Sequence, residues 1–131
     1  MTGSSTVWAV VVSYHPDPDP LECLLTRLAP QVDRIVVVDD GSPEPAPIEA
    51  LCRHYGQVEF HAQGFNGGLA RAQNAGIRRA LAAGAGQVIL FDQDSEPAPD
   101  LVARLQTAIE TLGRHGVRVG AVGANYDDDT H

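Results

Sequence analysis

The stretch "VILFDQDSEP" (88–97) ends an apolar run in two carboxylates, Asp92 and Asp94, one residue apart. Like charges at that spacing repel unless something positive lies between them. A divalent cation suits them, because hard cations take oxygen ligands; a solvated loop or a helix cap is the plainer explanation. A second acidic pair, Asp39 and Asp40, closes "VVVDDGS" (36–42), where Asp40 and Gly41 would serve equally well as a turn with Ser42 opening a cap. A third group lies in "NGGLARAQNAG" (66–76). There Asn66 can cap a helix, and Gly67 and Gly68 would let a backbone or a ligand approach closely. A helix start of this kind favours anions, and Arg71 in its first turn could reach a phosphate. Arg78 and Arg79 read better as a solvated face. Asn74 lies inside the helical pattern, where Asn is unfavourable.

Five apolar runs and four helical patterns would position these groups. The runs are "VWAVVVSY" (7–14), "RIVVVDD" (34–40), "VEFHAQ" (58–63), "QVILFDQD" (87–94) and "VRVGAVGA" (117–124). Nearly continuous β-branched runs are the pattern of strands buried on both faces, hence of a parallel sheet. The first helix is expected from about Pro20 to Ala29, with Leu21, Leu24, Leu25 and Leu28 on one face, Asp19 as its cap and Glu22 completing a box. The second should run from about Pro47 to Tyr55 over Ile48, Leu51, Cys52 and Tyr55. The third, about 67–83, uses Leu69, Ala72, Gly76, Ile77, Ala80 and Leu81. The fourth, about 98–113, uses Leu101, Val102, Leu105, Ala108, Ile109 and Leu112, with Gly113 as a stop. Strand–helix alternation implies right-handed crossovers and a three-layer α/β/α sandwich on a mainly parallel sheet. Ligands of such sheets bind outside the carboxyl ends of the strands. That edge collects "SYHPD", "DDGSPE", "HAQGFNGG", "DQDSEP" and "GANYDDD", more acid than turns require.

Composition narrows the chemistry. The 131 residues are one domain's worth, 44% hydrophobic and 20% charged, as in ordinary soluble proteins. The formal net charge is −8 and all nine basic residues are Arg. An acidic chain is a poor nucleic-acid binder, and without Lys there is no phosphate-loop lysine and no Schiff base. Cys23 and Cys52 form no zinc or redox spacing and read as small reduced core or near-core residues. The polar start "MTGSST" shows no signal peptide, and the longest apolar run is too short to span a bilayer. The expectation is a cytoplasmic protein.

The order strand–"SYHPD", strand–"VVDDGS", "NGGLARAQNAG", strand–"FDQDS" resembles the nucleotide-sugar domain of family 2 glycosyltransferases, the Rossmann-like GT-A fold, from Val7 to about Asn125. "FDQDS" followed by prolines, and "APQVDRIVVVDDGS", resemble the rhamnosyltransferase branch, which usually has Asn at the place of Asp40. The resemblance implies a D-x-D-type motif and these roles. Ser13 and Tyr14 would line the base and ribose pocket. Asp40 would contact the pyrimidine, with Asp39 shaping its loop. Asp92 would sit by the ribose and, with Asp94, at the metal; Asp94 would coordinate the Mg²⁺ or Mn²⁺ that bridges the diphosphate. Asn66, Gly68, Arg71, Asn74 and Gln93 would complete the donor site. His15 stands where the family usually has Asn and would keep a structural role.

The implied activity is inverting transfer of a sugar, L-rhamnose from dTDP-L-rhamnose, to a polysaccharide or lipid-linked glycan. A divalent cation on the leaving diphosphate would stabilise its developing charge. The resemblance also implies a donor-binding half, truncated relative to the family. The acceptor part and the general base would lie beyond His131, and this chain alone would be inactive. Asp127, Asp128 and Asp129 read as a solvated tail. In a longer protein the enzyme would work peripherally at the inner face of the membrane. The apolar fifth run, left uncovered, would favour self-association.

Two alternatives belong to other classes. A haloacid-dehalogenase-like phosphatase also carries hydrophobic–D-x-D-x-S/T at a strand end, but at its first strand, and it needs a Lys. A non-catalytic nucleotide-binding module, or a catalytically dead interaction partner, would use the same fold without transfer.

Overall fold

The computed structural model describes residues 6–116. The element order is β1 (Val7–Ser13), α1 (Pro18–Leu28), β2 (Arg34–Asp39), α2 (Ala46–Cys52), β3 (Val58–Ala62), α3 (Leu69–Ala82), β4 (Gln87–Asp92) and α4 (Leu101–Arg114). The expected fifth strand at 117–124 and the acidic tail lie outside the described residues. The fold divides into two compact units, one up to Pro97 and one from Ala98. In the second, α4 carries Val102 and Leu105 of the expected stripe as buried residues and runs one residue past Gly113.

The first unit holds a parallel four-stranded sheet in the order β3-β2-β1-β4. In that strand order, the right-handed rule for parallel crossovers calls for α1 and α2 on one face. The return from β3 to β4 puts α3 on the other. The central strands β1 and β2 are buried along almost their whole length, as continuous β-branched runs require. The outer strands are only partly buried: β3 exposes His61 and Ala62, and Leu90 of β4 is 42% exposed. Burial on both faces therefore holds for the two central strands and not for the outer two.

The helices differ in detail from the sequence pattern. Helix α1 starts at Pro18, with Asp17 at its N-cap and no side-chain capping bond. Asp19 is a first-turn residue and not the cap. The fixed φ of Pro18 suits the first helical position and moves the start forward. Helix α2 ends at Cys52, short of Tyr55, whose hydroxyl instead meets Thr26 Oγ1 of α1 at 3.0 Å. Helix α3 buries only Ala72, Gly76 and Ala80, while Leu69 and Leu81 are 53% and 58% exposed. The reason is proximity. A Cβ at Gly76 would lie inside the Val10 side chain, 3.2 Å from Cγ2, and 3.3 Å from Val38 Cγ2. Only a seam of small residues fits that approach, so the apolar stripe is narrower than the leucines suggested. Ala72 and Ala80 pack there with Trp8, Val12, Val36 and Val38.

A charged cluster ties α3 to the outer strand. Glu59 on β3 accepts from Arg79 Nε at 2.8 Å and Nη2 at 2.9 Å, and from Arg34 at 3.1 Å. Both guanidiniums also lie over the Trp8 ring, at 5.7 and 5.9 Å from its centroid. Arg79 is thus held and is not a free solvated residue. Its bonds are the main reason the Glu59 carboxyl titrates low, near about 2, with His61 and Arg34 adding to the effect against a partial cost of burial. A depressed carboxyl stabilises the fold above its unfolded pKa, and that stabilisation is lost as pH falls through the folded one. Glu59→Gln should therefore cost about 1 kcal/mol at neutral pH, since both arginines are partly solvated and screened. The difference from the parent should shrink between about pH 4.5 and pH 2 and vanish below it. Urea titrations at several pH values measure this; a difference that does not change with pH would mean that the carboxylate's charge has no part.

Both cysteines are free thiols. Burial, with Glu49 nearby, pushes Cys52 up to about 12, so it is inert at neutral pH, as a core thiol should be.

Candidate functional site at the carboxyl edge of the sheet

Strand register decides which residues meet. Ser13 pairs with Asp39 across β1 and β2, and Val12 pairs with Asp92 across β1 and β4. The ends of the three strands, and the residues that follow them, therefore share one edge. The two acids that end β2 look alike in sequence but do different work.

Asp39 is 1% exposed. Its Oδ1 accepts from Ser13 Oγ at 2.8 Å and from Ser42 Oγ at 2.6 Å, and its Oδ2 accepts from the Ser42 amide at 2.8 Å. Ser42 Oγ in turn accepts from the His15 amide at 2.9 Å. One buried carboxylate thus joins the loops after β1 and β2. Ser13 itself is fully buried, its hydroxyl engaged by Asp39.

Asp40, 5% exposed, reaches the start of α3: its two oxygens accept from the Gly67 amide at 2.9 Å and the Gly68 amide at 3.1 Å. Gly68 is the N-cap, so Asn66 is not the cap, and its side chain is exposed. The two amides that open α3 are thus bonded to Asp40 and not open to a phosphate. A negative group at a helix start is favourable for the same reason that an anion is.

The β1 end presents Tyr14, 41% exposed, edge-on to His15 with ring centroids 4.4 Å apart. His15 has φ 46°, a left-handed backbone that His and Asn tolerate better than most residues. Gln93 lies between the two acids of the D-x-D motif. Its side chain accepts from the Tyr14 amide at 2.8 Å and donates to the Tyr14 carbonyl at 3.2 Å.

Asp92 and Asp94 are exposed, and their carboxylates make no hydrogen bond or ion pair among the described residues. Arg71 is also exposed and lies over the Phe65 ring at 4.9 Å, stacked on an aromatic and paired with no acid among the described residues. Asn74 is exposed on α3. No group of three or more His, Cys, Asp or Glu is gathered as a metal cage among the described residues. A cluster of that kind is not what Mg²⁺ demands; it keeps several waters and commonly takes one or two carboxylates plus substrate phosphates. The two exposed acids fit that pattern.

A cleft of about 410 Å³ opens beside these loops, lined by His15, Pro16, Ser42, Pro43, Pro47 and Ile48 among others. It shares His15 and Ser42 with the buried network but includes neither Asp92, Asp94 nor Arg71. The exposed acids Asp92 and Asp94 and the cation Arg71 lie along the edge and outside that cleft.

Two parts of the site escaped the sequence reading. Ser42 was visible only as a cap, although its place three residues after Asp39 is the spacing of a side chain folding back on its own turn. The stacking of Phe65 on Arg71 had no signal beyond the aromatic itself. No helix among the described residues is long and apolar enough to cross a membrane.

The chain is similar to a dTDP-rhamnosyl transferase, RfbF, of Shigella flexneri. The two are 36% identical over 107 residues, which cover 78% of this chain and 34% of that protein's length. The chain therefore spans about a third of that relative. The phosphatase alternative is not favoured by this likeness. With residues 9–130 matching the family model "Glycosyl transferase family 2", this chain, a parallel sheet flanked by helices, belongs to glycosyl transferase family 2.

Proposed function

We propose that the carboxyl edge binds the nucleotide-sugar donor of a rhamnosyl transfer, with dTDP-L-rhamnose as the donor and a glycan or lipid-linked glycan as the acceptor. The observation that carries this reading is the β1–β4 register together with the Gln93–Tyr14 bonds, which bring the segment bearing the exposed acids Asp92 and Asp94 against exposed Tyr14 at the end of β1. Tyr14 offers a face for the pyrimidine. Asp40 keeps a lone pair on each oxygen beside its bonds to Gly67 and Gly68, enough to accept the N–H of a pyrimidine ring. Asp92 accepts from the 3′-hydroxyl of the nucleotide's deoxyribose. Arg71, held on Phe65, offers a bidentate cation to the diphosphate. Ser13 and Asp39 act from below as supports. Asn66, Gly68 and Asn74 shape the α3 side of the site.

Asp94, with Asp92, would hold a Mg²⁺ or Mn²⁺ ion. Such an ion, when bound, neutralises charge on the leaving nucleoside diphosphate. In an acidic chain without Lys, two exposed carboxylates and one stacked Arg would otherwise be a poor match for a diphosphate.

Thermal unfolding with dTDP, with and without Mg²⁺, tests the reading. A ligand that binds the folded state raises the midpoint in a concentration-dependent way. dTDP with Mg²⁺ should do so more than dTDP in EDTA. Asp94→Asn should fold like the parent, because its exposed carboxylate has no partner among the described residues. The same change should weaken Mg²⁺-dependent dTDP binding on the order of tenfold or more. A variant that binds dTDP and Mg²⁺ like the parent would remove Asp94 from the metal site. Turnover of a phosphate monoester would instead return the phosphatase reading.

A further inference from the structure

We propose that Gln93 is a positioning residue that joins the base-binding and metal-binding halves of the donor site, acting through the backbone of Tyr14. The inference rests on the donor-site reading above and names a role that the reading does not contain. The ladder between β1 and β4 ends at Val12 and Asp92. One residue past the end of β4, the Gln93 carboxamide takes the place of a peptide group. It accepts from the Tyr14 amide at 2.8 Å and returns a bond to the Tyr14 carbonyl at 3.2 Å. A two-point bond fixes orientation as well as distance, which a single bond does not. The following amide, that of His15, is fixed by Ser42 Oγ at 2.9 Å. Tyr14 therefore has its own backbone held from β4 and its neighbour held from β2, while its ring stays exposed.

The consequence follows from chain geometry. Asp92 and Asp94 flank Gln93 by one residue on each side, so the side chain that holds Tyr14 springs from the same short segment as both acids. The ring that would take the base and the carboxylates that would take the ion move as one piece. A ligand that spans both gains from that fixed relation, because ordering one end already orders the other. A ligand that touches one end alone gains nothing. Gln suits the position because it carries both a donor and an acceptor. Glu can only accept, and Leu can do neither.

The test compares three ligands on the parent, Gln93→Leu and Gln93→Glu by titration calorimetry. They are Mg²⁺–dTDP, which spans the site, Mg²⁺–pyrophosphate, which lacks the base, and thymine without metal, which meets only the base side. Gln93→Leu should weaken Mg²⁺–dTDP about tenfold while leaving the other two within about twofold of the parent. Gln93→Glu, which keeps the bond from the Tyr14 amide, should fall between. Without any ligand, the Tyr14 amide should exchange with solvent more slowly in the parent than in Gln93→Leu. A general loss of stability would weaken all three ligands together and would not give this split. Equal losses for Mg²⁺–dTDP and Mg²⁺–pyrophosphate, no loss for either, or a Tyr14 amide equally fast in both proteins would overturn the role of Gln93. A parent chain that binds no Mg²⁺–dTDP at all would instead sink the donor-site reading and the coupling with it.

Discussion

Asp39→Ala is expected to lose about 3–5 kcal/mol of stability, a large share of the 5–15 kcal/mol typical of a folded domain. The carboxylate is 1% exposed and accepts three hydrogen bonds. Alanine would leave the fully buried Ser13 hydroxyl and the Ser42 amide without that partner, and each orphaned buried donor costs about 1–3 kcal/mol. Ser42 Oγ would also be free to turn away from the His15 amide, loosening the backbone beside Tyr14. Asp39→Asn separates the contributions. Its carbonyl oxygen can still accept from both serine hydroxyls, but its amide group then faces the Ser42 N–H, donor against donor. One broken bond in place of three should cost about 1–3 kcal/mol. Urea denaturation of the parent and both variants measures the order. An alanine variant within 1 kcal/mol of the parent would mean that water or a shifted loop satisfies the serines, and the network would not be the support proposed for the site.

The same network shows what a sequence can and cannot disclose here. The central strands were legible because a parallel strand buried on both faces needs an unbroken apolar run, mostly β-branched, and "WAVVV" and "IVVV" are such runs. The edge was legible because polar residues cannot continue into such strands. The division of labour between Asp39 and Asp40 was not, since two adjacent carboxylates have the same chemistry until the backbone turns one inward and the other toward α3. Gln93 was placed among donor contacts because it lies in the motif. Its partner, Tyr14, is 79 residues away in sequence, and only the β1–β4 register brings them together. The α3 leucines misled for a related reason. Amphipathic spacing marks which face meets the sheet but not how close it comes, and the closeness at Gly76 leaves room only for Ala and Gly.

Gly41→Ala should be of similar size to Asp39→Ala, about 3–5 kcal/mol, but should damage a different joint. Gly41 has φ 86°, a left-handed backbone that costs an L-residue roughly 1–2 kcal/mol. Space is the larger obstacle. A Cβ there would meet the backbone of the loop before α3, with Asn66 N at 2.5 Å and the Phe65 carbonyl oxygen at 2.7 Å. Backbone cannot swing aside as a long side chain can, so the whole 64–68 loop would have to retreat from β2. That retreat would stretch the bonds from Gly67 and Gly68 to Asp40, charge-assisted bonds worth about 1.5–3 kcal/mol each when intact. It would also carry Phe65 away from the turn, and with it the ring over which Arg71 lies. The variant should therefore lose diphosphate affinity in step with stability, whereas Asp40→Ala should release α3 without pushing the loop outward; the half-buried Gly67 and Gly68 amides can then turn to water, so that change should cost less, about 1–3 kcal/mol. Urea denaturation alongside dTDP titration distinguishes the two cases. If Gly41→Ala were no worse than Asp40→Ala, the close approach of the two loops would be slack that the chain can absorb, and "DDGS" would hold its glycine for the turn alone.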